Sequence, residues 1–115
     1  MNKRTTGSKY EEVAADWLRK NGLVILAQNF RCRIGEIDLV AKDGETLVFV
    51  EVKYRKNSAL GYPEEAVSFM KQRKIIKTAQ FYLCRFGYSS DQPCRFDIIA
   101  IEGDSIRHIE NAFTL

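Results

Sequence analysis

The stretch EIDLVAKDGETLVFVEVK (residues 36–53) constrains the fold more than any other part of this sequence. Two apolar runs flank Asp43-Gly44, a dipeptide favoured in two-residue hairpin turns whose central positions both take positive φ. With that turn, Lys42 pairs with Glu45, Val40 faces Leu47, Asp38 faces Phe49 and Glu36 faces Glu51. Opposed residues share a face and successive residues alternate. Ile37, Leu39, Ala41, Thr46, Val48, Val50 and Val52 therefore form one nearly apolar face. Glu36, Asp38, Glu51 and Lys53 fall on the other, with Val40, Leu47 and Phe49. A slip of one residue would separate Asp38 from Glu51 and Lys53.

In this register Asp38 and Glu51 are diagonal neighbours, roughly 6–8 Å apart at the backbone. Two carboxylates about 6 Å apart repel by nearly 3 kcal/mol at an effective dielectric near 20. Lys53 offsets part of that. A divalent cation offsets more, and carboxylate oxygens suit Mg²⁺ or Mn²⁺ rather than zinc. Apolar neighbours on the same face favour a sheet covered by a helix, with the charges lining a cleft. The alternative is that they decorate the exposed face of an open hairpin.

The rest of the chain supplies elements for such a sheet. Tyr10, Val13, Ala14, Trp17 and Leu18 recur at helical spacing between Ser8 and Asn21, and Asn21-Gly22 stops the pattern. Residues 23–30 read as a strand, followed by strands over 35–41 and 46–54. Pro63 suits the start of a helical region and Ser68 the cap of its main segment. Met70, Ile75, Ile76, Ala79, Tyr82, Leu83 and Phe86 continue it to Gly87. CRFDIIAIE (94–102) is a fourth strand and SIRHIE (105–110) a short fifth. The order αβββαββ implies one domain over residues 1–115, with helices flanking a mixed sheet of about five strands in an α/β (α+β-like) arrangement.

Composition excludes several classes. Hydrophobic residues are 45% and charged ones 29% of 115 residues, an ordinary globular balance. Cys32, Cys84 and Cys94 are odd in number with no CxxC pair, so reduced thiols are expected and neither a zinc site nor a disulfide framework. The N-terminus lacks the apolar segment of a signal peptide, and no run approaches the ~20 apolar residues that cross a bilayer. A cytoplasmic protein without a membrane partner is expected. The net charge of +3 is mild. Basic residues nevertheless cluster at Lys3, Arg4 and Lys9, at Lys53, Arg55 and Lys56, and at Lys71, Arg73, Lys74 and Lys77, a pattern that suits either phosphates or a solvated face.

GEIDLV (35–40) followed by FVEVKYR (49–55) resembles the YraN-like family of small bacterial proteins and the PD-(D/E)xK nuclease signature. The family resemblance spans nearly the whole chain. It includes Gly7, Glu11 and Ala14 in a GxxxExxA pattern, Asn29, Glu65-Ala66-Val67, Lys71, Ala79 and Arg95-Phe96-Asp97. Ile37 stands where the nuclease signature often has proline. The resemblance implies a restriction-endonuclease-like fold similar to Holliday-junction resolvases, with a dimer as its usual working form. It implies that Asp38, Glu51, the main-chain carbonyl of Val52 and Glu11 hold Mg²⁺ or Mn²⁺. Lys53 would orient the attacking water or neutralise transition-state charge, and the reaction would be phosphodiester hydrolysis by a metal-activated hydroxide.

Smaller expectations attach to other residues. Tyr54, Arg55 and Lys56 either touch backbone phosphates or form an exposed strand end. Lys71, near the N-terminus of the second helix, is expected to support the site. Glu36 faces the charged cluster or pairs with a cation at its rim. Trp17 belongs to the core, and His108 is structural or exposed. Two functions fit: a metal-dependent endonuclease acting on DNA, with branched DNA a candidate substrate, or a nucleic-acid-binding scaffold that keeps the nuclease fold.

Overall fold

The computed structural model describes residues 3–57, 59 and 61–114; of residues 3–8 and 64 it describes the backbone alone. The elements run α1 (Lys3–Lys20), β1 (Val24–Arg31), β2 (Glu36–Asp43), β3 (Thr46–Arg55), a 3₁₀ turn (Pro63–Ala66), α2 (Phe69–Arg85), β4 (Cys94–Glu102) and β5 (Ser105–Phe113). The expected order αβββαββ is the observed one. Helix α1 starts five residues before the expected Ser8, and β5 runs three residues beyond the expected end at 110. The side chains of Lys3 and Arg4 lie outside the described residues.

The five strands form one sheet in sequence order. All neighbours are antiparallel except β3 and β4, which run parallel and are joined across α2. That connection is long because parallel strands need a crossover. Each face of the sheet carries its own core. Leu39, Ala41, Val48, Val50, Ile99 and Ile101 pack with Ala14, Ala15 and Leu18 of α1. Val40, Leu47, Phe49, Phe96, Ile98 and Ala100 pack with Ile75, Ile76, Ala79 and Tyr82 of α2. Trp17 packs at the margin of the α1 core. The strands in the middle of the sheet are therefore apolar on both faces along most of their length.

The hairpin register differs from the expected one. Asp43 pairs with Thr46, Lys42 with Leu47 and Val40 with Phe49, so the turn residues are Gly44 and Glu45 rather than Asp43 and Gly44. Only Gly44 among the four turn residues has positive φ, at 60°. That is the requirement of a II′ turn, with glycine at its first central position, rather than of a I′ turn. The displacement is two residues, the period of a strand, so the division between faces survives. Ile37 is the exception. It packs with Val40 on the α2 side, beyond the last described β2–β3 pair, Leu39 with Val50.

Candidate active site

Where the ladder between β2 and β3 ends, a side chain takes its place. The backbone N–H of Val52 donates to Oδ2 of Asp38 at 2.8 Å. Extending the register one step sets Asp38 directly opposite Glu51, closer than the diagonal relation expected from the sequence. On the other side of β2, the pairs Gln28–Leu39 and Phe30–Ile37 bracket Asn29 and set it opposite Asp38. Asn29 adopts a left-handed conformation (φ 55°), one of the few that a short polar side chain tolerates. Asn29, Asp38 and Glu51 thus form a row across three strands.

The carboxylates in this row are buried: Asp38 is 9% exposed and Glu51 4%. Burial pushes the Asp38 carboxyl up to about 8, helped by the charge of Glu51 and a hydrogen bond shared with it; the Val52 N–H opposes the shift. Asp38 therefore holds its proton near neutral pH, hydrogen-bonded to Glu51 beside it.

Two lysines approach from different elements. Lys71 Nζ lies 2.8 Å from Glu51 Oε2 and Lys53 Nζ lies 3.5 Å from the same oxygen. Burial opposes the charge of Lys71, but its contact with Glu51 outweighs this and raises its pKa. Lys53 is lowered, first by burial and then by the neighbouring Lys71. Lys71 holds its place because Ser68 caps α2, its hydroxyl accepting from the Lys71 N–H at 3.2 Å. The sequence expectation that Ser68 caps this helix agrees with this geometry.

Glu11 reaches the rim from α1. Burial raises its carboxyl, a hydrogen bond with Asn29 lowers it, and the charges of Glu36 and Glu51 raise it again. Its Oε1 is buried without a hydrogen-bond partner. Among the described residues, however, no three acidic, histidine or cysteine side chains converge as a ready-made cation cage. Glu11 is electrostatically coupled to the Asp38–Glu51 pair from the rim. Glu36 is taken up by Arg31, whose Nε lies 2.6 Å from its Oε2. Glu36 thus pairs with a cation at the rim while still lining the cleft.

The site opens into a cleft of about 410 Å³, lined by Gly35, Glu36, Asp38, Glu51, Ser68, Met70, Lys71, Lys74 and Ile75. Tyr54 and Lys56 are exposed and Arg55 is half-buried. None of the three lines this cleft. Tyr54 stacks on Tyr10 of α1, ring centroids 3.9 Å apart, so one face of its ring is already covered.

Sequence reasoning missed a second polar cluster. Asp97 on β4 is fully buried. It meets Arg95 Nε at 3.2 Å, His108 Nε2 at 2.7 Å and the backbone N–H of Asn111 at 2.9 Å. Arg95 also donates to Asp43 at 2.9 Å. His108 is thus structural, with a partner that its position near the chain end did not disclose. The signal present in the sequence was an aspartate inside an otherwise apolar strand, CRFDIIAIE.

The three cysteines are free thiols, as expected. No helix among the described residues is long and apolar enough to cross a membrane.

Comparison with known proteins agrees with the sequence resemblance. The profile of the uncharacterised protein family UPF0102 matches residues 10–101. A UPF0102 protein of Lachnoclostridium phytofermentans is 50% identical over 113 residues, covering 98% of this chain and 96% of the relative. One from Persephonella marina is 50% identical across 95% of this chain and 93% of its own length. One from Vibrio campbellii is 47% identical across 99% and 96%. The chain belongs to the UPF0102 family, the YraN-like family.

Proposed function

We propose that the protein is a metal-dependent nuclease that hydrolyses DNA phosphodiester bonds at the Asp38–Glu51 pair. The observation that carries this reading is the pair itself: two buried carboxyl groups side by side, held next to two lysines in an open cleft. A structural role alone gives no reason to bury like charges together, since apolar residues of similar size would be more stable there.

The donor set fits a hard divalent cation. Mg²⁺ and Mn²⁺ favour oxygen ligands and are commonly held by one or two carboxylates, with water and substrate phosphate completing the shell. Asp38 and Glu51 would hold the ion, together with the main-chain carbonyl of Val52. When bound, it would supply Lewis acidity to the phosphoryl group and acidify water. The chain's own residues do the rest. Asp38 would release its proton to solvent as the ion binds. Lys71, freed from Glu51, turns its ammonium to the incoming phosphate. Lys53, with its lowered pKa, orients the attacking water or offsets charge as the transition state forms. Ser68 fixes the first turn of α2 and so the reach of Lys71.

Incubation with labelled linear, single-stranded, flapped and four-way-junction DNA in Mg²⁺, Mn²⁺ or EDTA tests the reading. Metal-dependent cleavage is expected. Glu51→Ala should reduce it on the order of 10²-fold or more, the scale of losing one electrostatic stabiliser of the transition state. Binding without cleavage under every metal would favour a DNA-binding scaffold instead.

A further inference from the structure

Two large apolar side chains stand in water beside the cleft. Phe69 and Met70 are 72% and 74% exposed, the most exposed large hydrophobic residues among those described. They are consecutive and open α2. Met70 lines the cleft with Ser68, Lys71 and Lys74, and the next residue, Lys71, is the one whose ammonium touches Glu51. Single exposed apolar residues are commonplace and need no explanation. An adjacent pair beside Lys71, at the start of a helix that also carries Arg73, Lys74 and Lys77, is a different arrangement.

We propose that Phe69 and Met70 form an apolar wedge that packs against an unstacked base of the nucleic acid whose phosphate enters the cleft, so that the preferred substrate carries a splayed or unpaired base next to the scissile bond. This deepens the nuclease reading and rests on it.

The argument is one of complementarity. Lys71 and Lys74 line the cleft, and Arg73 and Lys77 are exposed on the same helix. They suit a polyanion, and the carboxylates at the cleft floor disfavour an acidic peptide unless a cation intervenes. Of polyanions, a nucleic acid alone carries flat apolar faces within one residue's reach of its phosphates. Phe and Met are among the side chains that proteins insert between base steps, partly unstacking them. The cost of unstacking is least where the base is already unpaired, and that difference becomes substrate preference. A continuous duplex would have to open against Met70 before its phosphate reached Lys71. A flap, junction or single strand would not.

The test uses the full chain with Phe69→Ser/Met70→Ser. Both positions are exposed, so the variant should unfold at the wild-type temperature, which a thermal melt checks. Duplex and flapped DNA carry 2-aminopurine beside the branch point, and binding is read in Ca²⁺ and cleavage in Mn²⁺. Wild type should raise 2-aminopurine fluorescence on binding and cleave flapped DNA roughly tenfold or more in preference to duplex, the scale of one unstacking step. The variant should lose the fluorescence rise and most of the preference. An unchanged preference and fluorescence in the variant would overturn the wedge and leave the nuclease reading intact. A wild-type dimer that the variant converts to monomer would overturn it too, assigning the pair to contact with a second copy. If wild type neither binds nor cleaves any of these DNAs, the nuclease reading fails and the wedge fails with it.

Discussion

Asp38 carries the most consequential chemistry of any single residue here. Its folded-state pKa of about 8 lies far above the ordinary 3.8, because burial and Glu51 both oppose its charge. The folded protein therefore keeps a proton that the unfolded chain releases. The stability tied to that proton is complete below about pH 4 and is lost as pH rises through about 8. Asp38→Asn should remove this loss, because an amide still accepts from the Val52 N–H and can donate to Glu51 as the protonated acid does. Denaturant titrations from pH 4 to 9 should show wild-type stability falling more steeply with pH than that of the variant. Parallel slopes would contradict a proton held by Asp38 in the folded state. The same proton competes with any cation, so Mn²⁺ affinity should rise with pH up to about 8, by up to tenfold per unit, since the metal needs the carboxylates deprotonated. Calorimetry in buffers of different ionisation enthalpy would count the proton released. Lys71 matters for a related reason. Lys71→Met should cost about 1 kcal/mol, leaving Glu51 short of a partner, with the value held down by solvent around the lysine.

At the level of elements, the first turn of α2 and the end of the β2–β3 ladder together make the site. Ser68 lies at the lip of the cleft and caps the helix that presents Lys71. Ser68→Ala should lower stability by about 1 kcal/mol in urea unfolding, the usual worth of such a cap, and should weaken DNA cleavage through Lys71 without removing any group that touches the reacting atoms. Gly35 sets the opposite lip. A Cβ there would lie 3.0 Å from the Thr78 hydroxyl, itself held by the Lys74 carbonyl at 2.7 Å, so the β1–β2 turn and α2 approach as closely as glycine allows. The hairpin shows how far pattern reading reaches. Alternation assigned nearly all its residues to the correct face, because that depends only on parity. The turn was misplaced by one residue at its start, because Asp-Gly is compatible with either a I′ turn on both residues or a II′ turn that begins at the glycine.

Across the whole molecule, the two polar clusters sit at different places in the sheet and serve different ends. Asp97 lies where the β4–β5 register shifts, between Phe96 and Ile98, so its carboxylate replaces ladder bonds that the bulge interrupts. Arg95, His108 and Asn111 satisfy it, and Asp43 extends the network to the β2–β3 turn. His108→Ala should destabilise the protein by about 1–3 kcal/mol by leaving a buried carboxylate short of a donor. If the cluster is structural, single-turnover cleavage by the folded variant should stay close to wild type. A loss of cleavage without loss of stability would instead assign His108 to the chemistry.

By itself the sequence determined the element order, the two apolar faces of the sheet and the identity of Asp38, Glu51 and Lys53 as a group, because all three follow from period and phase along the chain. It did not determine that Lys71 stands nearer Glu51 than Lys53 does, that Arg31 takes up Glu36, or that Asp97 finds His108. Those pairings join residues 5 to 20 positions apart through a turn, a helix cap and a register shift. Their geometry is set by where strands stop pairing and how helices seat on the sheet. Only the packed tertiary structure decides that, because burial there gives each charge a reason to seek one partner over another.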